Sequence, residues 1–171
     1  MAALEQLKLH YFRCYDTASL SSLSSGLVVL YGANGVGKTN LLEAVSLLSP
    51  GRGLRGARVM DIQSTQNPSP WAVSGTINTA YGEVRIGTGL DPNSRQGKEK
   101  RTVRINGQTA KSQARLGEHL ACVWLTPQMD RLFLDSGRER RKFLDRLVFT
   151  FDPGHSGRVI RYENATSQRS R

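Results

Sequence analysis

Residues 32–39 read Gly32-Ala33-Asn34-Gly35-Val36-Gly37-Lys38-Thr39. They match the pattern G-x-x-x-x-G-K-[ST] at every fixed position, and this pattern is typical of a loop that binds the phosphates of a nucleotide. Its glycines allow successive backbone N–H groups to point into one concavity, where they bind phosphate oxygens. In such loops the lysine contacts the β- and γ-phosphates, and the following hydroxyl binds Mg²⁺. The pattern therefore assigns these roles to Lys38 and Thr39.

The flanking sequence has the pattern that such a loop requires. Residues 27–31 form a short apolar run, which predicts a strand buried on both faces. Residues 40–48 carry Leu41, Leu42, Val45 and Leu48 at helical spacing, which predicts a helix immediately after the loop. A strand, a phosphate loop and a helix in this order predict an α/β fold.

The rest of the chain shows both strand and helix patterns. Alternation predicts a strand over 4–10, and the serine-rich segment 17–26 predicts a loop. Residues 71–90 and 101–110 predict two hairpins, the second with an Asn106-Gly107 turn, and together they suggest a β-subdomain over about 71–110. The further predictions are a short helix over 111–120, a buried strand over 120–125, a helical turn from Thr126-Pro127, and a helix after the Ser136-x-x-Glu139 capping box.

The amino-acid composition favours a protein that binds nucleic acid and argues against a membrane protein. The 171 residues include 24 Lys and Arg against 14 Asp and Glu, a net charge of +10 that favours a polyanionic partner such as nucleic acid. No apolar run is long enough for a membrane helix, and the N-terminus lacks a signal peptide pattern, so we expect a cytoplasmic protein with no membrane partner. Cys14 and Cys122 lie far apart and predict free thiols rather than a metal site.

Several ordered motifs resemble the RecF family. They are Leu7-x-Leu9-x-x-Phe12-Arg13-x-Tyr15, the phosphate loop followed by Asn40-Leu41-Leu42-Glu43-Ala44, then residues 47–55, Arg104-Ile105-Asn106-Gly107, Leu125-Thr126-Pro127 and Arg140-Arg141-Lys142-Phe143-Leu144-Asp145. The phosphate loop is shared by many ATPases, whereas the ordered set after residue 100 is specific to RecF. The resemblance covers nearly the whole chain and matches the N-terminal part of a RecF.

The resemblance implies an ABC-type, SMC-like ATPase head over 1–135 and the start of a helical lobe over 136–171. It implies a protein that binds ATP and Mg²⁺ and recognises junctions of single- and double-stranded DNA at gaps. It also implies action with RecO and RecR to load RecA in recombinational repair, DNA replication and the SOS response. In that class two heads form an ATP-dependent homodimer.

The chain departs from the family pattern in three ways. We find neither the Leu-Ser-x-Gly-Gln-like signature nor an apolar strand ending in paired acids, and Leu132-Phe133-Leu134-Asp135 is only a partial match that we interpret as the approach to a helix. The chain therefore looks truncated and is expected to bind ATP without efficient hydrolysis, with no catalytic residue assigned. Gln128 stands where the family often has an acid, and it is either near Mg²⁺ and the γ-phosphate or an ordinary helix-start residue.

Other candidate binding residues keep two interpretations. By analogy with related heads, Arg13 could contact nucleotide phosphates, and Asn40 adjoins the loop; an edge-of-strand surface position suits Arg13 equally. Three basic clusters predict contacts to the DNA backbone, or else solvated faces. Their candidate residues are Arg52, Arg55, Lys100, Arg101, Arg104, Arg140 and Arg141, and the clusters also include Arg58, Arg95 and Lys98.

Three functional hypotheses follow from the sequence. The first is an ATPase head whose nucleotide state controls DNA binding. The second is a binding module, of this or another SMC-like P-loop protein, in which ATP is at most a structural ligand. The third is another P-loop class such as a small-molecule kinase, which the polar hairpins and arginine clusters favour less.

Overall fold

An antiparallel sheet organises the first two thirds of the chain. The computed structural model describes residues 2–64, 66–94, 99–134 and 136–169. Within them the sheet has the order β2-β1-β3-β4-β5-β6. Its strands are β1 (Ala3–Phe12), β2 (Tyr15–Leu20), β3 (Ala72–Thr79), β4 (Gly82–Leu90), β5 (Arg101–Ile105) and β6 (Gln108–Thr109). Asp135, Arg95 and Lys98 lie outside the described residues.

Helices and 3₁₀ turns complete the described architecture. The α-helices are α1 (Lys38–Leu47), α2 (Gly137–Phe149) and α3 (His155–Arg169). The 3₁₀ turns are Met60–Ile62, Gln113–Glu118 and Pro127–Arg131. The predicted helix after the phosphate loop is confirmed as α1, and the short helix predicted over 111–120 is a 3₁₀ turn. In the described part of the chain no helix is both long and apolar enough to span a membrane.

The local strand predictions are confirmed. β1 contains the predicted strand, and β3 pairs with β4 from Ala72 opposite Gly89 to Thr79 opposite Gly82. The turn of the second hairpin has φ values of 49° at Asn106 and 81° at Gly107, as an Asn-Gly type I′ turn requires. The predicted loop over 17–26 is wrong for its first four residues, which belong to β2. Pairing with β1 places Leu20 opposite Leu7, and this apolar contact outweighs the serine-rich composition.

The core lies between α1 and the sheet. Leu47 at the end of the helix and Leu48 directly after it are buried with Leu7, Val73 and Ile86 of three strands. The helix approaches β3 so closely that a Cβ at Gly75 would lie 2.6 Å from Leu48 Cδ1. α1 is therefore held against the sheet by a close-packed contact, and this contact positions the phosphate loop at its start.

Two predicted buried strands are wrong. Residues 27–31 form no strand in the described structure, and Leu27, Val29 and Tyr31 are 87%, 67% and 91% exposed. Residues 120–125 also lack strand structure, and Leu125 is 78% exposed. An apolar run becomes a strand only when neighbouring strands supply hydrogen-bond partners, and neither run pairs with any of the six described strands. α1 packs against β3, and the start of the second run still contacts the helix, because the Cys122 sulfur lies 3.9 Å from the Val45 carbonyl oxygen.

The C-terminal helices form a pair with a partly exposed apolar surface. Arg141 of α2 lies 5.8 Å from the ring centre of Tyr162 on α3. The predicted capping box is wrong, because Ser136 makes no side-chain capping bond and Glu139 pairs with Lys142 at 2.7 Å. Leu144, on the predicted apolar stripe, is 58% exposed. The division into a head and a helical lobe at residue 135 stays a prediction.

Candidate nucleotide-binding loop

The phosphate loop runs along the surface and passes directly into a helix. Residues 32–36 are exposed, and α1 begins at Lys38. Gly35 and Gly37 have φ values of +86° and +102°, which L-residues with a Cβ rarely adopt. The exposed loop therefore lies at the positive end of the helix dipole, a position suited to an anion.

Lys38 holds the loop closed around its own ammonium group. Its Nζ donates hydrogen bonds to the carbonyl oxygens of Gly32 and Ala33, each at 2.7 Å. An ammonium group has three N–H donors, so one remains for a ligand at the loop. Thr39 follows on the exposed side of the first turn, where its hydroxyl is accessible. The loop thus brings the predicted phosphate and metal contacts together at one end of α1.

The β1–β2 turn supports the loop from behind. The Tyr15 hydroxyl donates to the Val36 carbonyl at 3.4 Å, and Asn40 Nδ2 donates to the Cys14 sulfur at 3.1 Å. A Cβ at Gly37 would lie 2.5 Å from Tyr15 Oη and 2.8 Å from Cys14 Sγ. Burial raises the pKa of Tyr15, and the neighbouring Cys14 raises it further. The Tyr15 hydroxyl therefore stays protonated at neutral pH. These contacts fix the backbone of the loop before any ligand arrives.

A buried carboxylate on α1 joins two of the predicted binding residues. Glu43 is 1% exposed, and its carboxylate accepts hydrogen bonds from Arg13 Nε at 2.9 Å and Nη2 at 2.6 Å. Arg55 Nη1 binds the same carboxylate at 2.5 Å and the Asn40 side-chain oxygen at 2.8 Å. Arg13 also donates to the backbone carbonyl of Asp61. Arg13 and Arg55, predicted for different ligands, therefore meet at one acid beside the loop.

Arg101 contacts the protein interior. Its guanidinium donates to Thr88 Oγ1 at 2.7 Å, to the Gly51 carbonyl at 2.6 Å and to the carbonyl of Leu47, the last residue of α1. Burial lowers the pKa of Arg101 to about 10, and the group remains a cation at neutral pH. This geometry gives Arg101 the role of a C-terminal cap for α1. The predicted contact of Arg101 with DNA stays a prediction.

The remaining predicted residues lie on the surface. Arg52, Lys100, Arg104 and Gln128 are exposed. Arg140 and Arg141 are exposed on α2, where Arg140 donates to the Phe133 carbonyl at 3.2 Å. Their ligand contacts stay predictions. Sequence reasoning missed Glu43 as an organising group, although an acid within the apolar pattern of residues 41–48 was a signal for it.

A known protein family matches the part of the chain that contains the phosphate loop. The family described as AAA domain matches residues 6–146, which is most of the chain. The chain belongs to the AAA domain family. The matched range contains the complete phosphate loop, α1, strands β2 to β6, and all of β1 except its first three residues.

Individual relatives are RecF proteins. The chain is 46% identical over 168 residues to the DNA replication and repair protein RecF of Mesorhizobium japonicum, covering 98% of the chain and 44% of that protein. It is 44% identical over 180 residues to RecF of Caulobacter sp. strain K31, covering 99% and 45%. The predicted resemblance to RecF is confirmed, and the chain spans less than half the length of these relatives.

Solved structures confirm the fold class. A structure described as the recombination mediator protein RecF-ATP in the RecFOR pathway matches with a TM-score of 0.84 and 27% identity, over 98% of this chain and 43% of that one. An SMC head domain from Thermotoga maritima matches with a TM-score of 0.56 and 18% identity, over 80% of this chain and 52% of that one. The predicted fold, the head of a P-loop ATPase, is therefore confirmed. The strands predicted over 27–31 and 120–125 are not formed in the described residues.

Proposed function

We propose that this chain is the ATP-binding part of a RecF-like protein of DNA replication and repair. The observation that carries the proposal is the loop at the start of α1, where Lys38 is positioned by two carbonyl contacts at 2.7 Å. The similarity to a RecF-ATP structure supports ATP as the nucleotide. The 46% identity to a DNA replication and repair protein supports the cellular role.

In this proposal the backbone N–H groups of residues 32–39 and the Lys38 ammonium bind the phosphates. The hydroxyl of Thr39 holds Mg²⁺, which neutralises phosphate charge when bound. Glu43 on α1 binds the guanidinium groups of both Arg13 and Arg55. We expect either guanidinium to contact phosphates bound at the loop. We further propose that this chain alone binds ATP without efficient hydrolysis, because its sequence offers no apolar strand ending in paired carboxylates.

The proposal includes DNA as the macromolecular partner. The net charge of +10 attracts a polyanion, and Arg52, Lys100, Arg104 and Arg140 present exposed cations to solvent. The family role adds gapped junctions of single- and double-stranded DNA, joint action with RecO and RecR in loading RecA, and an ATP-dependent homodimer. These are roles of whole RecF proteins, and the relatives are more than twice as long as this chain.

The test for nucleotide binding compares Lys38→Ala with Lys8→Ala. Lys8 is an exposed lysine on β1 and serves as the matched control. Titration with a fluorescent ATP analogue should show affinity lowered at least about tenfold in Lys38→Ala, which corresponds to about 1.4 kcal/mol, and unchanged in Lys8→Ala. Far-UV circular dichroism confirms folding of both variants. Equal affinity in wild type and Lys38→Ala would remove the phosphate loop from the proposal.

A second measurement decides whether ATP controls DNA binding. If the chain is a nucleotide switch, ATP strengthens binding to gapped DNA in the wild type, and Lys38→Ala abolishes this increase while weak binding at low salt remains. The logarithm of the DNA affinity should fall linearly with the logarithm of salt concentration, by about 0.7–0.9 units per contacted phosphate. Identical DNA affinity with and without ATP favours a plain binding module, and a flat salt response contradicts contacts to the DNA backbone.

A further inference from the structure

A cavity of about 390 Å³ lies at the opposite end of α1 from the phosphate loop. Leu47, the last residue of the helix, contributes one wall, and the segment 57–62 contributes another. Lys38 and Leu47 are separated by the length of a ten-residue helix, which is about 15 Å at 1.5 Å per residue. The cavity is therefore separate from the phosphate loop, and its volume is within the usual range for small-molecule sites.

The lining of the cavity combines apolar surface with three arginines. Leu47, Val59 and Met60 provide apolar side chains. Arg101 lies at the inner side, where Nη1 donates to the Gly51 carbonyl at 2.6 Å and to Gln113 Oε1 at 3.2 Å; both acceptor residues also line the cavity. These hydrogen bonds fix the inner wall in the absence of a ligand. A preformed apolar cavity with a few fixed polar groups is the usual form of a specific small-ligand site.

The outer side of the cavity is cationic. Arg52 and Arg58 line it and are exposed, and neither forms an ion pair with a residue that the structure describes. A guanidinium presents a planar set of donors that matches the oxygens of a phosphate. Asp61 and Glu99 also line the cavity, and the exposed Asp61 carboxylate is an acceptor suited to the exocyclic amino group of a base.

We propose that this cavity binds one nucleotide, with its base against Val59 and Met60 and its phosphate at Arg52 and Arg58. The nucleotide is either free or one unit of a DNA strand, and in the second case the inference rests on the proposed DNA-binding function. Arg13 connects the two sites, because its guanidinium contacts both the Asp61 backbone and the Glu43 carboxylate on α1.

Photolabelling of the full 171-residue chain tests the inference. The probes are 8-azido-AMP, which lacks the β- and γ-phosphates assigned to Lys38, and a single-stranded oligodeoxyadenylate that contains 8-azidodeoxyadenosine, so both present an exocyclic amino group. Mass spectrometry of peptides locates each label. The variants are Arg58→Ala, which removes one outer cation, and Ala57→Phe, which fills the cavity from its wall. Arg85→Ala is the matched control, since Arg85 is an arginine 77% exposed on β4.

The expected result is a label within residues 47–62. This label should be at least about tenfold weaker in Arg58→Ala, because that variant loses one charge-assisted phosphate contact. It should be unchanged in Arg85→Ala. Labelling by the oligonucleotide alone identifies a DNA strand as the source, and labelling by 8-azido-AMP alone identifies a free nucleotide; both support the site. Labels confined to other peptides, or equal labelling in Arg58→Ala, overturn it. The Lys38→Ala titration with ATP is independent, so failure of the cavity site leaves ATP binding at the phosphate loop intact.

Discussion

Replacing Gly37 by Ala should destabilise the chain by two separable effects. The first is backbone strain, because φ is +102° at this position and an L-residue there costs about 1–2 kcal/mol. The second is overpacking, because the new Cβ would lie 2.5 Å from Tyr15 Oη and 2.8 Å from Cys14 Sγ. Forcing an extra methyl group into a packed contact costs about 1–3 kcal/mol. The expected loss of unfolding free energy is therefore about 2–5 kcal/mol.

Gly35→Ala separates the two effects. Gly35 also has a positive φ, +86°, but a Cβ there would have no heavy atom of the described residues within 4 Å. This variant carries only the backbone cost of about 1–2 kcal/mol. Both substitutions lie in the same loop and add the same methyl group. The difference between the two variants therefore measures the contact of the loop with the β1–β2 turn, and we expect about 1–3 kcal/mol.

Urea unfolding followed by circular dichroism is the appropriate assay, with linear extrapolation to zero denaturant. Thermal melts provide a check, since 1 kcal/mol lowers Tm by about 2–4 °C in a chain of this size. The reasoning is refuted if Gly37→Ala and Gly35→Ala lose the same free energy within about 0.5 kcal/mol. Such a result would show that Tyr15 and Cys14 move away at no cost and do not hold the loop.

Three further predictions follow from buried polar groups. Glu43→Gln should lower the free energy of unfolding by about 2–4 kcal/mol in urea melts, because two arginines lose their shared buried carboxylate. As a control, Glu118→Gln at an exposed ion pair should lower it by less than about 1 kcal/mol. Arg101→Lys should cost about 2–3 kcal/mol in the same assay, since an ammonium cannot reproduce the guanidinium contacts that cap α1; a loss below about 0.5 kcal/mol would contradict that role. Burial raises the pKa of Cys122 above its usual value of 9.0, so iodoacetamide at pH 8 should alkylate the exposed Cys14 first in mass spectra. Because the folded pKa of Cys122 is the higher one, its thiol contributes stability below about pH 9 that is lost as the pH rises through the raised value. Equal alkylation rates would show that the Cys122 site is open.

Sequence patterns predicted the elements whose determinants are local. The phosphate loop, the helix after it and the Asn106-Gly107 hairpin depend on backbone conformations set by a few adjacent residues. Glycine at positions of positive φ and apolar residues at helical spacing are visible in any short window. These features could be predicted because each requires no knowledge of distant parts of the chain.

Patterns failed where partners distant in sequence decide the structure. The apolar runs 27–31 and 120–125 predicted burial, but burial in a strand requires paired neighbours that no local pattern supplies. β2 shows the converse, because its serine-rich sequence forms a strand once β1 lies beside it. Glu43 was overlooked for the same reason: its partners Arg13 and Arg55 lie 30 and 12 residues away.

The arrangement of charges around α1 explains how a short helix can present a rigid loop. Ten residues are too few for a stable isolated helix, so tertiary contacts must hold α1 in place. Leu47 packs on the sheet, Glu43 binds two arginines on the loop side, and Arg101 binds the last turn, where a cation also offsets the negative end of the helix dipole. A force on the loop at Lys38 must therefore act on the whole helix. α1 therefore joins the phosphate loop at its first residue to the cavity wall at Leu47.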